Sequence, residues 1–205
     1  NKRSEITTQL AGMWQFYEDY ATKNEHYLPP DNVQFAPVFR ICHRTSPTNI
    51  GLMLLSTLTA RDFDFINTDG LYKRIERTVS SVESFEKYKG NLYNWYDTNT
   101  LRISNNPFVS AVDSGNFVCC LVALKEGLKE YAAGKSKIKD LIERIQKLID
   151  NTEICDFYNN DKGLLSIGYN PDTKQYSNNY YDLLMSEARM TSYFAIAKRQ
   201  VPKEH

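Results

Sequence analysis

Two kinds of apolar pattern alternate along this chain, and their order constrains the fold more than any other feature. One-sided stripes, in which apolar residues recur every three or four positions, occupy residues 5–22, 71–85 and 138–149. Segments that are apolar on nearly every side occupy residues 50–60, 112–124 and 183–197. A one-sided helix lies on the outside of a domain, whereas a helix that is apolar all round must be covered on most sides. The order is therefore outer, inner, outer, inner, outer, inner.

This alternation predicts an all-α fold in which helical hairpins form two concentric rings, a partial α/α toroid. The inner helices would surround a central cavity, and the loops at one rim would form a cleft. Ser46 followed by Pro47 marks the start of the second helix, because the pair combines a good N-cap with proline at the first helical position. Two short alternating stretches, residues 91–103 and 158–169, contain turn residues and predict β-hairpins at the rim.

The bulk composition limits the classes of partner. Lys plus Arg number 25 and Asp plus Glu number 25, so the chain has no basic field to hold a nucleic acid or an anionic bilayer. The aromatic content is 13%, and aromatic faces pack against the apolar faces of sugar rings as readily as they fill cores. The chain begins almost inside one helix and stops just beyond another. We therefore expect residues 1–205 to be a single domain that is the first half of a larger one.

Other classes of site have no support in the sequence. Cys42, Cys119, Cys120 and Cys155 fit neither a zinc ribbon nor a redox motif, and they indicate free thiols in a reducing compartment. The three histidines are scattered, and no phosphate-loop, zinc-protease or serine-esterase motif is present. We expect no metal and no cofactor. No apolar run is long enough for a membrane span, so this piece is expected to be soluble.

Polar residues gather at the starts of the three inner helices. Helix capping explains a Ser or Asp at each start, but it does not explain their density. Free backbone N–H groups also point outward there, so such a rim would suit a ligand covered in hydroxyl groups. The candidate binding residues are His43, Arg44, Asn49, Asp113, Ser114, Asn116, Tyr180, Tyr181 and Asp182. For His43 the alternative is an ordinary hydrogen-bonded structural histidine.

The first predicted hairpin adds Trp95, Tyr96 and Asp97 to the candidate residues, as two large rings and a carboxylate. A turn with aromatic cross-strand packing is the alternative interpretation of this segment.

Glu187 is the most unusual single residue, because it lies in the segment assigned to an inner helix. A buried carboxylate must be paired, surrounded by water or shifted in pKa. One interpretation is a structural ion pair with an arginine such as Arg44. The other is a glycosidase-type acid or base, with a pKa that burial raises toward neutrality.

Five strings resemble, in the same order, the middle glucoamylase-like domain of cyclic β-1,2-glucan synthases. They are HRTSPTNIGL at 43–52, LYNWYDT at 92–98, VDSGN at 112–116, SIGYN at 166–170 and YYDLLMSEAR at 180–189. The resemblance covers about residues 14 to 205. It implies an α/α toroid within a large bacterial inner-membrane protein, on the cytoplasmic side, between a glycosyltransferase region and a phosphorylase-like region. In that family the middle domain cyclises linear β-1,2-glucan by transglycosylation.

The resemblance also implies roles for individual residues. Glu187 would be the general acid/base, the second carboxylate would lie beyond residue 205, and the candidate residues above, with Arg189, would bind glucose units. Two alternatives stay open: a non-catalytic glucan-binding scaffold, and a hydrolase similar to endo-β-1,2-glucanases. The fragment alone is expected to be inactive and to self-associate through its open flank.

Overall fold

The computed structural model describes residues 2–183 and 186–205, which form six α-helices and nine short strands. The helices are α1 (Lys2–Tyr20), α2 (Pro47–Asp62), α3 (Thr68–Ser84), α4 (Ala111–Lys129), α5 (Ser136–Asp150) and α6 (Arg189–Ala197). The strands are β1 (Val33–Gln34), β2 (Arg40–Ile41), β3 (Arg44–Thr45), β4 (Asn94–Asp97), β5 (Ile103–Ser110), β6 (Tyr158–Asn159), β7 (Leu164–Leu165), β8 (Gly168–Asn170) and β9 (Gln175–Tyr176).

The predicted order of outer and inner helices is confirmed in the middle of the chain. Inner helix α4 packs between α2 and α6. Outer helix α3 packs on α2, outer helix α5 packs on α4, and the two outer helices pack on each other. The one-sided stripes of α3 and α5 are the buried faces, with Leu71, Ile75, Val79 and Val82 on the first and Ile138, Leu141, Ile145 and Ile149 on the second. Burying these faces is the main favourable term in the packing.

The two ends of the chain depart from the prediction. Of the predicted stripe in α1 only Trp14 is buried, and Ile6 and Met13 are exposed. Helix α6 begins at Arg189 rather than at residue 183, and it exposes Met190. Leu184 and Met185 of the predicted stripe lie outside the described residues. Of the predicted inner helix 183–197, the structure shows Arg189–Ala197 as helical.

A five-stranded antiparallel sheet, in the order β3-β4-β5-β8-β9, joins the hairpins to the helices. The two predicted hairpins are confirmed as β4 with β5 and β6 with β7. Their connection into a larger sheet was not predicted, because pairs such as Val109 with Tyr169 join residues that are distant in the sequence. A small additional hairpin, β1 with β2, was also not predicted.

The sheet holds the starts of the inner helices side by side. β3 leads into α2 through Ser46, whose hydroxyl accepts a hydrogen bond from the Asn49 N–H at 3.2 Å, as the cap prediction required. β5 leads directly into α4, where Ser110 is the N-cap. A bridge between Ser166 and Tyr180 places the segment before α6 beside the residues that lead into β8, and the Thr191 hydroxyl of α6 donates to the Ala111 carbonyl at the start of α4. All three helix starts therefore meet at one edge of the molecule.

Within the described ranges, the helices are too short or too polar for any of them to cross a lipid bilayer.

The contact between α4 and α6 depends on the absence of a side chain at Gly115. A β-carbon there would overlap Thr191, whose hydroxyl donates a hydrogen bond to the Ala111 carbonyl at 2.9 Å. We expect Gly115→Ala to lower the free energy of unfolding by about 1–3 kcal/mol, because the two helices must move apart. Urea denaturation measures this change.

The matched control is Gly12→Ala on α1, where a β-carbon would meet nothing within 4 Å. Alanine favours a helix interior over glycine by about 1 kcal/mol, so this variant should be neutral or slightly stabilised. Equal loss of stability in both variants would contradict the close approach of α4 and α6.

Candidate functional site

Arg44 is the centre of the first group of polar side chains at the helix starts. Its guanidinium donates to Asp31 Oδ2 at 3.1 Å and lies over the Trp95 ring at 4.3 Å from the centroid. Asn49, in the first turn of α2, donates from Nδ2 to the other oxygen of Asp31 at 3.3 Å. The predicted residues Arg44, Asn49 and Trp95 are thus brought together, with a cation–π contact holding the indole ring.

A second group joins the starts of α2 and α4. Asn116 donates from Nδ2 to the Thr48 hydroxyl at 3.2 Å, and Asn94 donates from Nδ2 to Asp113 Oδ2 at 3.1 Å. The carbonyl oxygen of the Asn94 side chain is buried, and no described residue hydrogen-bonds to it. An unpaired buried acceptor is costly, so this group can gain from a hydrogen-bond donor supplied by a ligand or water.

Tyr181 links Asp113 to Glu187. Burial raises the pKa of the Tyr181 hydroxyl to about 12, and the negative charges of Glu187 and Asp113 add to the rise. Coulombic influence of this kind falls off with distance, so both carboxylates lie in the neighbourhood of one phenol. The backbone N–H of Tyr181 donates to the Leu165 carbonyl at 3.0 Å, which ties this segment to the β6–β7 hairpin.

Glu187 does not lie in a buried helix, which corrects the sequence prediction. It occupies an exposed turn just before α6, while the adjacent Ala188 is buried. The suggested ion pair with Arg44 is also wrong, because Arg44 bonds to Asp31. The helix begins later than the apolar pattern indicated, so the carboxylate is accessible from solvent.

Three predicted binding residues have structural roles. The Tyr96 side chain is fully buried, stacks on Phe85 and donates its hydroxyl hydrogen to the Glu86 carbonyl at 2.6 Å. Ser114 is also buried, inside α4, so neither side chain can reach a ligand at the rim. Asp97 Oδ1 accepts from the backbone N–H of Thr100 at 2.8 Å and caps the turn that follows β4. For this segment the turn with aromatic packing was the better interpretation.

The remaining predicted residues lie at the margin of the site. The Tyr180 hydroxyl accepts from Asn159 Nδ2 at 3.1 Å, and Asp182 and Arg189 are exposed. His43 donates from Nδ1 to Glu25 Oε1 at 2.9 Å, with almost half of its side chain exposed.

Sequence reasoning missed Asp31, Thr48, Asn94 and Glu25. Asp31 lies in a loop and Glu25 ends a 3₁₀ helix of three residues, so neither belongs to a periodic pattern and only their contacts reveal a role. Thr48 lies within the string HRTSPTNIGL at 43–52, and its hydroxyl in the first turn of α2 could have been singled out.

We refer to the side chains that meet at the helix starts as the polar rim: Asp31, Arg44, Thr48, Asn49, Asn94, Trp95, Asp113, Asn116, Tyr181 and Glu187. It combines donors, acceptors and two half-buried aromatic rings, those of Trp95 and Tyr181. Three of its members carry carboxylates, and Glu187 is the most exposed of them.

The sequence comparisons place the chain in a family. A family model described as "Protein of unknown function (DUF3131)" matches residues 14–195. Cyclic β-(1,2)-glucan synthase NdvB of Rhizobium meliloti is 40% identical over 123 residues, which is 60% of this chain and 4% of that protein. The resemblance drawn from the quoted strings is thereby confirmed.

Solved structures share the fold at low identity. The endo-β-1,2-glucanase of Talaromyces funiculosus, in complex with sophorose, superposes with a TM-score of 0.74 at 11% identity, over 100% of this chain and 48% of that one. The endo-β-1,2-glucanase of Chitinophaga pinensis, in complex with sophorotriose and glucose, gives 0.72 at 15% identity, over 93% and 47%. This chain spans about half the length of these structures, and the partial toroid fold is confirmed.

The shared electrostatics of Tyr181 can be tested directly. Because a phenolate is disfavoured by a neighbouring anion, replacing Glu187 by glutamine should lower the pKa of Tyr181 from about 12 toward its ordinary value. Titration of ¹³Cζ-labelled tyrosine by NMR measures this pKa, and Tyr181→Phe assigns the signal.

Asp182→Asn is the matched control. Asp182 directly follows Tyr181 in the sequence, but its carboxylate does not contribute to the raised pKa of Tyr181. An unchanged Tyr181 pKa in Glu187→Gln, or an equal fall in both variants, would contradict the arrangement.

Proposed function

The chain belongs to the DUF3131 family, and on that premise we propose that it is part of a glycoside hydrolase-like domain that processes linear β-1,2-glucan by transglycosylation. The observation that carries this proposal is the 40% identity to a segment of a cyclic β-(1,2)-glucan synthase. The fold shared with two endo-β-1,2-glucanases supports the same substrate class.

The chemistry of the polar rim suits a chain of glucose units. Asn49, Asn94 and Asn116 can each donate or accept hydrogen bonds from hydroxyl groups, and Arg44 adds fixed donors. Trp95 offers an apolar face that Arg44 holds in place at 4.3 Å. In this proposal the glucan lies along the starts of the inner helices.

Glu187 is the proposed general acid/base. Its accessible position lets the carboxyl group reach a glycosidic oxygen, which a fully buried carboxylate could not do. The second carboxylate of such a mechanism lies beyond residue 205 in this proposal, and Asp113 binds substrate beside Tyr181. The Tyr181 hydroxyl is protonated at neutral pH, as in any tyrosine, and its raised pKa extends the range in which it can donate a hydrogen bond to higher pH.

We also propose that residues 1–205 form the first half of a larger α/α toroid within a membrane-anchored synthase. The coverage of 47% and 48% of two solved chains supports this division. Ile6, Met13, Met190 and Tyr193 are exposed on the first and last helices, as expected of surfaces that further helices cover. The flanking glycosyltransferase and phosphorylase-like domains, and the cytoplasmic side of the membrane, follow from the same proposal. An isolated fragment would self-associate through these surfaces.

A non-catalytic scaffold is the second candidate function. A closed ion pair at Glu187 would have favoured a scaffold. Glu187 is instead exposed, and its charge, like that of Asp113, raises the pKa of Tyr181, which favours catalysis. Hydrolysis transfers the glucan segment to water, whereas transglycosylation transfers it to a sugar hydroxyl, so analysis of the products distinguishes the two reactions.

Trp95 provides a test of binding. The chain contains two tryptophans, so Trp14→Phe leaves Trp95 as the sole indole reporter. We expect linear β-1,2-glucan to change the fluorescence of Trp95 in that variant, because a sugar ring excludes water from the indole.

In the matched Trp95→Phe variant the remaining Trp14, which is the buried residue of α1, should not respond. An α-1,4-glucan of the same length is the ligand control. A response from Trp14 alone, or an equal response to both glucans, would argue against the polar rim as a β-1,2-glucan site.

Glu187 provides a test of catalysis. In a chain extended to the length of the matched structures, Glu187→Gln should slow the turnover of linear β-1,2-glucan by about 100-fold or more, because general acid catalysis is lost. Chromatography of the products distinguishes ring closure, transfer and hydrolysis.

Asp140→Asn, on the exposed face of outer helix α5, is the control and should turn over glucan normally. The 205-residue chain alone should release no product. Full activity of Glu187→Gln, or product from the short chain, would refute this assignment.

A further inference from the structure

Glu25 is a buried carboxylate that the proposed mechanism does not use. It ends a short 3₁₀ helix, Lys23–Glu25, and only 9% of its side chain is exposed. One oxygen accepts from His43 Nδ1 at 2.9 Å, and the other accepts a hydrogen bond from the Thr98 hydroxyl. Because burying a carboxylate is costly, these hydrogen bonds are what make the position tolerable.

The environment of Glu25 joins three separate segments of the chain. Thr98 is fully buried, its N–H donates to the His43 carbonyl at 3.2 Å, and its own carbonyl accepts from His26 Nδ1 at 2.8 Å. The Asn99 carboxamide lies against the same pair and, with its amino group facing Glu25, donates to Oε1 at 3.3 Å. The imidazole of His43 is therefore held in one orientation.

This geometry determines which ring nitrogen of His43 is available. An ionised carboxylate can only accept hydrogen bonds, so the Nδ1 atom of His43 must carry the proton. In the neutral ring Nε2 is then an acceptor with a free lone pair. Almost half of the His43 side chain, 46%, is exposed, and among the residues that the structure describes no hydrogen-bond partner of Nε2 is found. His43 directly precedes Arg44 of the polar rim.

We infer that Glu25 is a positioning residue, which fixes His43 so that Nε2 accepts a hydrogen bond from a hydroxyl group of the bound glucan. This inference rests on the proposed function. It assigns His43 a specific chemistry, a hydroxyl acceptor, in place of a general polar contact. The alternative is that the Glu25 cluster only fastens the β4–β5 turn, in which case the ring would not sense a ligand.

The test is ¹⁵N NMR of the histidine rings in the 205-residue chain at mildly alkaline pH. We expect His43 in the Nδ1–H form, and we expect linear β-1,2-glucan to shift its Nε2 resonance. His205 is the internal control, because its Nδ1 donates to the Gly163 carbonyl at 3.0 Å in a different part of the molecule. Its resonances should not move.

Glu25→Gln keeps the size of the side chain but removes the charge that selects the tautomer. We expect His43 to become a mixture of tautomers in this variant, and the glucan affinity to fall about threefold to tenfold, as for the loss of one hydrogen bond. Glu18→Gln is the matched control, because Glu18 pairs with Arg74 in another part of the molecule. The affinity of this variant for the glucan should not change.

Each adverse outcome can be distinguished. If His43 of the unsubstituted chain carries its proton on Nε2, the inference is overturned, whether or not the glucan binds. A glucan that changes Trp95 fluorescence but leaves the His43 resonances unmoved overturns the inference and leaves the proposed function intact. Failure of any β-1,2-glucan to bind overturns both. The titration of the unsubstituted chain decides the question even if Glu25→Gln does not fold.

Discussion

The antiparallel pairing of β3, β4, β5 and β8 is the interaction on which the rest of this structure depends. β3 and β5 lead into inner helices α2 and α4, so the ladder between them sets the distance between two helix starts. The bridge from Ser166 to Tyr180 places the segment before α6 beside the residues that lead into β8. Side chains from Asp31 to Glu187 therefore meet at one edge, although more than half of the chain separates them in sequence.

The sheet also explains why the polar rim is partly exposed to solvent rather than buried. Helix packing uses the sides of α2 and α4, while their first turns remain beyond the core, where unpaired N–H groups and polar side chains tolerate solvent. Arg44 keeps 45% of its side chain exposed while it bonds to Asp31. Two kinds of carboxylate result. Glu25 is enclosed and tied to His43, and Glu187 is open and acts on Tyr181 only through its charge. The first kind positions a neighbour, and the second is free to contact a substrate.

Much of the helical framework was predictable because its cause is local. The stripes of α3 and α5 and the cap at Ser46 follow from three- and four-residue periodicity and from one hydroxyl, and each was found where the pattern indicated. The prediction was less accurate at α6, which begins at Arg189, whereas the apolar pattern placed the helix start at residue 183. It failed at Tyr96, because an alternating hairpin pattern does not say which face meets the core.

By itself, the sequence determined which segments are helical, which helices are covered and which polar residues lie near helix starts. These properties depend on neighbours within a few positions. Only the tertiary structure decided which polar residues touch, that Glu187 is exposed and that Glu25 holds His43. Those facts depend on strand register and on contacts between residues such as Glu25 and Thr98, which are distant in sequence. No periodic pattern encodes such a contact, because hydrogen bonds between distant segments form only after the sheet has brought the segments together.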